Sequence, residues 1–307
     1  MVDILMATYN GEQFIRQQLD SIFQQSYQEW QLIIRDDCSK DKTVEIIKEY
    51  QLLHPGRITL IPANQPSGSA QKNFFLLLPY STAPYMMFAD QDDVWLPDKI
   101  QLTIEKMQQI ETDFDSTMPI LVHTDLAITD TDLNVLNPSR YDMHDINPER
   151  NKLNHLLVQG IVYGCTLMVN RALLNLITER PKLDVMHDTW LSLLACTFGQ
   201  IGYVDKPLVQ YRRHGGNSTG LCTKGRLQWF FYQLANIKKI HNKHEAYYMQ
   251  AGELLAIYNE QLTIGQKDIL RSYANLSKAF LLKKVFVLGK FDLYRNGFLP
   301  KIAQILL

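Results

Sequence analysis

The sequence predicts an α/β fold whose first half holds a mostly parallel sheet. Short apolar segments alternate with segments of helical spacing over residues 3–110, and polar residues directly follow several of the apolar segments. Strands that alternate with helices indicate βαβ units and parallel strands. The chain of 307 residues is 46% hydrophobic and 21% charged, which is typical of a globular protein with one large or two modest domains.

Four strands and four helices are predicted in alternation along the first half. Each strand is a short apolar run bounded by polar or turn residues, and each helix has apolar residues three or four positions apart. The predicted strands cover residues 3–8, 30–35, 58–61 and 85–89. The predicted helices cover residues 11–24, 43–50, 73–78 and 97–110. The last helix begins with Pro97, and proline is favoured in a first helical turn.

The alternation changes after residue 113. The polar, turn-rich stretch 137–150 predicts a loop over the sheet, and residues 187–198 have the spacing of a helix. Further short strands are predicted at residues 120–123, 126–129, 162–169, 201–204 and 208–211.

Charge divides the chain into two predicted domains, residues 1–219 and residues 220–307. The first carries 18 Lys and Arg against 27 Asp and Glu, a net charge of −9, and the second carries 13 against 5, a net charge of +8. This asymmetry indicates a second domain that prefers an anionic surface. We expect it to be helical, basic and rich in aromatic residues, as in Trp229-Phe230-Phe231-Tyr232.

The stretch 278–288 of the second domain mixes lysines with large apolar residues. A basic amphipathic helix can lie in a membrane interface. It can also pack on the core with solvated lysines, or form a contact in a homodimer. The clustering of charge and aromatic residues over the whole domain favours the membrane surface.

Targeting and membrane-spanning patterns are missing from the sequence. No apolar run approaches the roughly 18 residues of a spanning helix, and the first residues lack the basic start and apolar core of a secretory signal. The four cysteines are scattered, which suits reduced thiols in the cytoplasm better than disulfides or a zinc site. No phosphate-loop motif occurs, which argues against a phosphate-loop NTPase.

The run Asp90-Gln91-Asp92-Asp93 directly follows the predicted strand 85–89. Three carboxylates within four residues repel one another unless a cation or hydrogen-bond donors compensate. Magnesium and manganese prefer such oxygen ligands, often together with substrate phosphates. A solvated acidic turn with an Asp helix cap is the other explanation.

Polar residues also end the first two strands, at Ala7-Thr8-Tyr9-Asn10 and at Asp36-Asp37. If these strands are parallel neighbours of the strand 85–89, all three groups lie along one rim of the sheet, where ligands of open α/β sheets bind. Carboxylates, backbone amides and an aromatic ring suit a nucleotide, and a cation suits its pyrophosphate.

Three ordered motifs over residues 1–219 resemble those of the family 2 glycosyltransferases. They are Ala7-Thr8-Tyr9-Asn10-Gly11, the run from Ile33 to Thr43 with its Asp36-Asp37 pair, and Phe88-Ala89-Asp90-Gln91-Asp92-Asp93-Val94-Trp95. The resemblance implies the GT-A fold, a nucleotide-diphosphate sugar donor, a divalent metal (Mg²⁺ or Mn²⁺) and inversion at the anomeric carbon. The last motif is most similar to bacterial rhamnosyltransferases of cell-wall polysaccharide or O-antigen synthesis.

The resemblance assigns roles to individual residues. The residues implied to hold the nucleotide of the donor are Ala7, Thr8, Tyr9, Asn10, Asp37, Lys72, Asn73 and Asp90, with Asp37 on the base and Asp90 on the ribose. Asp92 would bind the metal, with His214 in Tyr211-Arg212-Arg213-His214-Gly215-Gly216-Asn217 as a further ligand. Asp93 would support this site or cap the next helix.

An inverting transfer needs a base for the acceptor hydroxyl. Asp188, at the start of the predicted helix 187–198, matches the family's catalytic position, although an Asp there is also a common helix cap. His187 precedes it where the family has an acidic residue, which leaves open whether this histidine shares the proton, tunes Asp188 or contacts the acceptor.

Several alternatives stay open from the sequence. The donor can be a UDP-hexose instead of dTDP-β-L-rhamnose, and the protein can be a non-catalytic nucleotide-sugar-binding scaffold at the membrane. A nucleotidyltransferase is disfavoured, since Asn10-Gly11-Glu12 is acidic where that class carries a basic phosphate loop. The basic second domain makes a lipid-linked saccharide the expected acceptor and the cytoplasmic face of the membrane the expected location.

Overall fold

The computed structural model describes residues 1–115, 117–177, 181–183, 185–215, 237–296, 301 and 304. The chain divides into two compact units. Unit 1 comprises residues 1–144, 162–178 and 186–218, and unit 2 comprises residues 145–161, 179–185 and 219–307. The predictions for Gly216, Asn217 and Trp229-Phe230-Phe231-Tyr232 lie outside the described residues.

Unit 1 contains nine described strands and most of the short helices. The strands are β1 (Val2–Thr8), β2 (Trp30–Asp36), β3 (Ile58–Ile61), β4 (Tyr85–Asp90), β5 (Val94–Trp95), β6 (Ile120–Thr129), β7 (Val135–Asn137), β8 (Met168–Asn170) and β9 (Gln200–Arg212). The first eight helices are α1 (Ile15–Phe23), α2 (Thr43–Leu53), α3 (Ala70–Leu77), α4 (Lys99–Phe114), α5 (Arg140–His144), α6 (Leu153–Leu156), α7 (Arg171–Asn175) and α8 (His187–Phe198), of which α6 belongs to unit 2.

The strands form one sheet in the order β3-β2-β1-β4-β8-β6-β9-β5, with β7 beside β6. The ladders among β1, β2, β3 and β4 are parallel, as is the long β6–β9 ladder, while β8 is antiparallel to both of its neighbours. These observations confirm the predicted α/β class. The strand order reverses at β1, so the carboxyl ends of β1, β2 and β4 meet at a topological switch point.

Side chains from the sheet and its helices form the core of unit 1. Ile4, Leu5 and Met6 of β1 are fully buried, as are Met87 and Phe88 of β4. A parallel sheet covered on both faces produces such continuous apolar strands, and burying each side chain contributes about 1.5–3 kcal/mol. This core fixes the positions of the strand ends.

Several element predictions for residues 120–212 are wrong. Residues 120–123 and 126–129 form one strand, β6, and residues 201–204 and 208–211 form one strand, β9. The two strands change register around Asp125, which pairs with Pro207, and proline cannot donate a ladder hydrogen bond. In the sequence, this polar residue and this proline therefore look like strand ends, although both strands continue through these positions.

Two more segments differ from the prediction. Residues 164–166 form a 3₁₀ turn, so the strand predicted at 162–169 is reduced to β8. The predicted loop 137–150 contains α5, whose backbone amides at Arg140 and Tyr141 donate to the buried Asp125 carboxylate (3.2 and 3.3 Å).

Unit 2 is mainly helical in its described part. Its longer helices are α9 (Ile237–Ile257), α10 (Ile264–Ala274) and α11 (Leu281–Lys290). The Tyr248 and Tyr273 rings of α9 and α10 pack edge to face, 5.0 Å apart, and Thr263 with Gln266 forms a capping box at the start of α10. Among the described helices, none combines the length and the apolar composition needed to cross a bilayer.

The segment 145–161 belongs to unit 2, although it lies far from the rest of that unit in sequence. Arg150 Nη2 donates to the carbonyl of Tyr294 (2.6 Å), and Asn154 Nδ2 donates to that of Phe291 (3.1 Å). Unit 2 thus includes residues that a single boundary at position 219 does not assign to it.

Candidate active site

The loop after β1 is tied to the acidic run after β4. The Tyr9 amide donates to Gln91 Oε1 (2.9 Å), and Gln91 Nε2 donates back to the Tyr9 carbonyl (3.0 Å). A Cβ added to Gly11 would lie 2.3 Å from Gln91 Oε1, so only glycine leaves room for this pair. Gln91 therefore has a positional role that its place between aspartates did not reveal.

The segment Ala7 to Asn10 lies at the predicted rim. Ala7 pairs with Arg35 of β2 on one side and with Asp90 of β4 on the other. Asn10 has a left-handed backbone (φ 49°), and its Oδ1 accepts from the Lys40 amide (2.9 Å). These contacts shape the loop.

The side chains of Thr8 and Tyr9 have opposite environments. Thr8 is buried and donates from Oγ1 to Asp36 Oδ2 (2.8 Å). The Tyr9 side chain is 53% exposed at the rim. Among residues 7–10, Tyr9 therefore offers the accessible ring on which a base can stack.

Asp36 and Asp37 separate into different roles. Asp36 accepts from the Ser39 amide (2.7 Å) and hydroxyl (2.6 Å), which fixes the loop after β2. Asp37 accepts from Arg35 Nη1 (2.8 Å) and from the Ser67 amide (2.5 Å). Burial raises the pKa of Asp37, but the hydrogen bonds from Ser67, Arg35 and Gly68 outweigh it and hold the pKa below its usual value.

The two residues predicted at the start of α3 also differ. Asn73 is buried, accepts from Arg35 Nη1 (2.6 Å) and donates to the Arg35 carbonyl (3.1 Å). Lys72 is half-buried in the first turn of α3. Asn73 thus holds the guanidinium that in turn bonds to Asp37. Of the two residues, Lys72 has the more accessible side chain.

The carboxylates after β4 repel one another, as the sequence predicts. Burial raises the pKa of Asp90 to about 7, and the charges of Asp92 and Asp188 add to the shift. Burial, followed by the charges of Asp92 and Asp90, raises the pKa of Asp93 well above its usual value. A bound cation would relieve this repulsion.

Asp92 and His214, the two predicted metal ligands, lie together. His214 Nε2 is 2.7 Å from Asp92 Oδ2, and the His214 ring packs against Phe14 (4.9 Å between centroids). A carboxylate oxygen and an imidazole nitrogen fit a divalent ion such as Mn²⁺. The donor set is therefore compatible with the predicted metal.

Arg212 forms hydrogen bonds with the acidic run. Its side chain is buried, and Nε donates to the Asp92 carbonyl (2.9 Å) while Nη2 donates to Gln17 Oε1 (2.5 Å). Its backbone amide donates to Asp93 Oδ1 (3.3 Å). The β9 strand therefore positions the acidic run through Arg212.

Asp188 lies in the first turn of α8 with both carboxylate oxygens oriented. The Gly164 amide donates to Oδ2 (3.0 Å), and the Thr189 amide donates to Oδ1 (2.5 Å). Burial raises the pKa of Asp188, and these hydrogen bonds oppose the rise. The charge of Asp188 contributes to the raised pKa of Asp90, so the two carboxylates are close enough to interact electrostatically.

His187 packs in the core. It is 1% exposed, and its ring centroid lies 4.2 Å from that of Phe74 and 4.5 Å from that of Phe88. Burial lowers the pKa of His187 to about 3, so the ring is uncharged near neutral pH. This environment fits a packing residue and not a partner in proton transfer.

Comparison with known proteins places the chain in a family. The sequence profile of glycosyl transferase family 2 matches residues 3–174, which is more than half of the chain. The chain belongs to glycosyl transferase family 2. The resemblance predicted from the three motifs is thereby confirmed, and so is a glycosyltransferase activity.

Relatives of this family 2 glycosyltransferase act with different donors. The dTDP-rhamnosyl transferase RfbG of Shigella flexneri is 30% identical over 227 residues, covering 70% of this chain and 73% of RfbG. The UDP-Glc:alpha-D-GlcNAc-diphosphoundecaprenol beta-1,3-glucosyltransferase WfgD of Escherichia coli is 25% identical over 195 residues, covering 63% of this chain and 70% of WfgD.

A solved structure supports the GT-A fold of this glycosyltransferase. TarS of S. aureus in complex with UDP-GlcNAc superposes with a TM-score of 0.60 and 17% identity, covering 94% of this chain and 80% of the TarS chain. At this identity the likeness concerns the fold. The predicted fold class is confirmed.

One buried charged group of this glycosyltransferase, Lys99, is not indicated by the sequence pattern. Lys99 is fully buried, with Nζ 3.8 Å from the centre of the Trp95 ring, and burial lowers its pKa to about 7. Asp90, Asp93 and Cys165 place potential ligand atoms within 4.8 Å of one another. Burial raises the pKa of the Cys165 thiol well above its usual value, which suits a packing residue better than a ligand of a hard metal ion.

Proposed function

We propose that this family 2 enzyme transfers L-rhamnose from dTDP-β-L-rhamnose to a lipid-linked saccharide in bacterial surface polysaccharide synthesis. The observation that carries the proposal is the Asp188 carboxylate, which the Gly164 and Thr189 amides orient and which is close enough to Asp90, at the end of β4, to raise its pKa. The similarity to RfbG supports the rhamnosyl donor. The diphosphoundecaprenol acceptor in the name of WfgD supports the lipid-linked acceptor.

Asp188 removes the proton of the acceptor hydroxyl as the acceptor oxygen attacks the anomeric carbon of the donor. The bond from that carbon to the dTDP oxygen breaks, and inversion of the β-L-rhamnosyl donor gives an α-L-rhamnoside. A raised pKa suits Asp188 as a general base, since a stronger base takes the proton more readily. The fixed position of the carboxylate holds it ready for the incoming hydroxyl.

Asp92 and His214 would hold a divalent metal, Mg²⁺ or Mn²⁺, which supplies stabilisation of the negative charge that develops on the diphosphate. Asp90 takes the ribose hydroxyls, and Lys72 provides a point charge for a phosphate. Arg212 keeps the Asp92 backbone in place through its 2.9 Å hydrogen bond.

The nucleotide binds at the carboxyl ends of β1 and β2. Tyr9 stacks on the base, and the backbone of Ala7, Thr8 and Asn10 lines the site. Asp37 binds the base by exchanging one of its hydrogen bonds to the Ser67 loop for a bond to the ligand. Asn73 acts through Arg35, which it holds in the buried network.

A UDP-hexose donor is the second candidate, because WfgD carries UDP-Glc in its name and the two relatives are similar to this chain over comparable lengths. We place the enzyme on the cytoplasmic face of the membrane, where both the nucleotide sugar and a lipid-linked acceptor are within reach.

A donor screen tests the proposal. The purified full chain is incubated with dTDP-β-L-rhamnose, UDP-glucose or UDP-GlcNAc and a lipid-linked saccharide, with Mn²⁺ or Mg²⁺ or with chelator. We expect transfer from dTDP-β-L-rhamnose only, lost with chelator and in Asp92→Asn. Turnover restricted to a UDP-hexose would overturn the rhamnosyl assignment, and equal transfer with chelator would overturn the metal site. Donor binding without transfer to any acceptor would instead favour a scaffold.

A further inference from the structure

Helix α11 leaves a row of large apolar side chains exposed. Phe280, immediately before the helix, is 69% exposed, and Leu281, Leu282, Val285 and Phe286 are 53%, 76%, 39% and 68% exposed. Soluble proteins rarely leave large contiguous apolar patches uncovered, and such patches mark binding sites. We call these five residues the apolar face of α11.

The apolar face is a defined side of a well-anchored helix. Positions 281, 282, 285 and 286 share one side at helical spacing, while Val287 and Leu288 are buried on the side next to it. The end of α11 is held within unit 2, because Asn154 Nδ2 donates to the Phe291 carbonyl (3.1 Å). The exposed row is therefore not a frayed end that lacks packing.

The stretch of chain that contains the apolar face carries only positive charge. The sequence contains no Asp or Glu between Asp268 and Asp292. The basic residues in this interval are Arg271, Lys278, Lys283, Lys284 and Lys290. Lys283 and Lys290 lie exposed on α11 itself.

We propose that the apolar face of α11 inserts into the interface of an anionic lipid bilayer, with the lysines of α11 at the headgroups. Apolar residues on one side of a helix with lysines beside them match the pattern of interfacial helices. Juxtaposed basic residues add attraction to anionic lipid. A second copy of the chain fits less well, since a two-fold contact would bring the same lysines against one another.

This inference rests on the proposed function, because binding to the bilayer would bring the enzyme to its lipid-linked acceptor. Its test is separate. The full chain is mixed with sucrose-loaded vesicles of phosphatidylcholine, or of phosphatidylcholine and phosphatidylglycerol in equal parts, and the sedimented fraction gives a partition coefficient. We expect binding to the anionic vesicles that weakens as salt is raised to about 0.5 M.

Paired variants locate the contact. Leu282→Ser with Phe286→Ser is expected to lower the partition coefficient by at least about tenfold, and Lys283→Gln by about fivefold on the anionic vesicles alone. Matched controls are Leu52→Ser with Leu53→Ser, on equally exposed apolar residues of α2, and Lys48→Gln; these are expected to bind like the unmodified chain. All substituted side chains are exposed, so folding, checked by circular dichroism, is expected to be retained.

Two results would overturn the inference. One is equal vesicle binding by the Leu282 and Phe286 variant and the unmodified chain. The other is a dimer, measured by analytical ultracentrifugation, that this variant dissociates. Transfer to a short-chain acceptor in detergent is measured in parallel and is expected to be unchanged in the variant. Loss of vesicle binding with transfer intact separates this surface from the proposed catalytic function, whereas binding without any transfer contradicts the proposed function alone.

Discussion

Asp188 is the residue on which the proposed chemistry depends. Its carboxylate is held by the Gly164 and Thr189 amides, and burial raises its pKa. An asparagine of the same shape cannot take a proton from the acceptor. Asp188→Asn is therefore expected to lower kcat by about 10²–10⁴-fold, the usual contribution of a general base. Transfer rates and calorimetric donor binding measure the two effects separately.

The matched control for that prediction is Asp132→Asn, which changes an exposed aspartate in the turn before β7. We expect unchanged transfer in the control and unchanged donor affinity in both variants. An Asp188→Asn enzyme that keeps more than half of its kcat would show that another group takes the proton. His187 is a poor candidate for that group because it is buried between two phenylalanine rings.

The sequence predicts which residues carry the chemistry of the site. It does not predict all of the hydrogen-bond partners of these residues. The sequence predicts that Asp92 and His214 act together, and the structure places them 2.7 Å apart. In contrast, Asn73 turned out to bond to Arg35 instead of lining an open site. A hydrogen bond across 38 residues leaves no periodic signal, so only the folded chain reveals it.

At the scale of elements, the turn after β1 depends on Gly11. In Gly11→Ala, the new Cβ would lie 2.3 Å from Gln91 Oε1 and displace the side chain that bonds to both backbone groups of Tyr9. We expect KM for the donor to rise about tenfold with kcat nearly unchanged, because two hydrogen bonds of about 0.5–1.5 kcal/mol each are lost. Steady-state kinetics with varied donor measure both constants.

The control for this turn is Gly265→Ala, because a Cβ at Gly265 meets no atom within 4 Å. A Gln91→Ala variant adds a second check. If Gly11 acts through Gln91, adding Gly11→Ala to Gln91→Ala changes KM little further, as expected for residues in contact. Additive effects of the two changes would contradict the proposed link.

The bounds of strands with a regular apolar pattern were predictable from the sequence. The bounds of strands that contain a buried polar residue or a proline were not. The strand ends of β1, β2 and β4 follow continuous apolar runs and were located to within a residue or two. The strands β6 and β9 were each divided in two, because Asp125 and Pro207 interrupt the pattern. Asp125 is tolerated in the sheet since Ser139 Oγ (2.6 Å) and the amides of α5 donate to it. That compensation comes from a segment predicted to be a loop.

At the scale of the whole molecule, charge suggested a boundary at residue 219, whereas compactness assigns residues 145–161 to unit 2. The net charge of a region indicates which kind of surface it binds, whereas a compact unit is defined by the residues that pack together. The local sequence pattern does not reveal that residues 145–161 form hydrogen bonds with residues beyond 290. The independence of residues 1–219 is therefore a matter for experiment.

A chain ending at residue 219 is expected to be less stable than the full chain. It would lose the partners of Arg150 and His155, whose side chains bond to Tyr294 (2.6 Å) and Asp292 (3.0 Å), and it would uncover the apolar residues Leu153 and Leu156. We expect a lower urea midpoint and increased binding of a hydrophobic dye. The single variant Asn154→Ala in the full chain, which removes the Nδ2 bonds to the carbonyls of Phe291 and Asp292, is expected to cost about 1–3 kcal/mol without dye binding. A truncated protein with the midpoint of the full chain and no dye binding would show that residues 1–219 fold independently, as the charge distribution predicts.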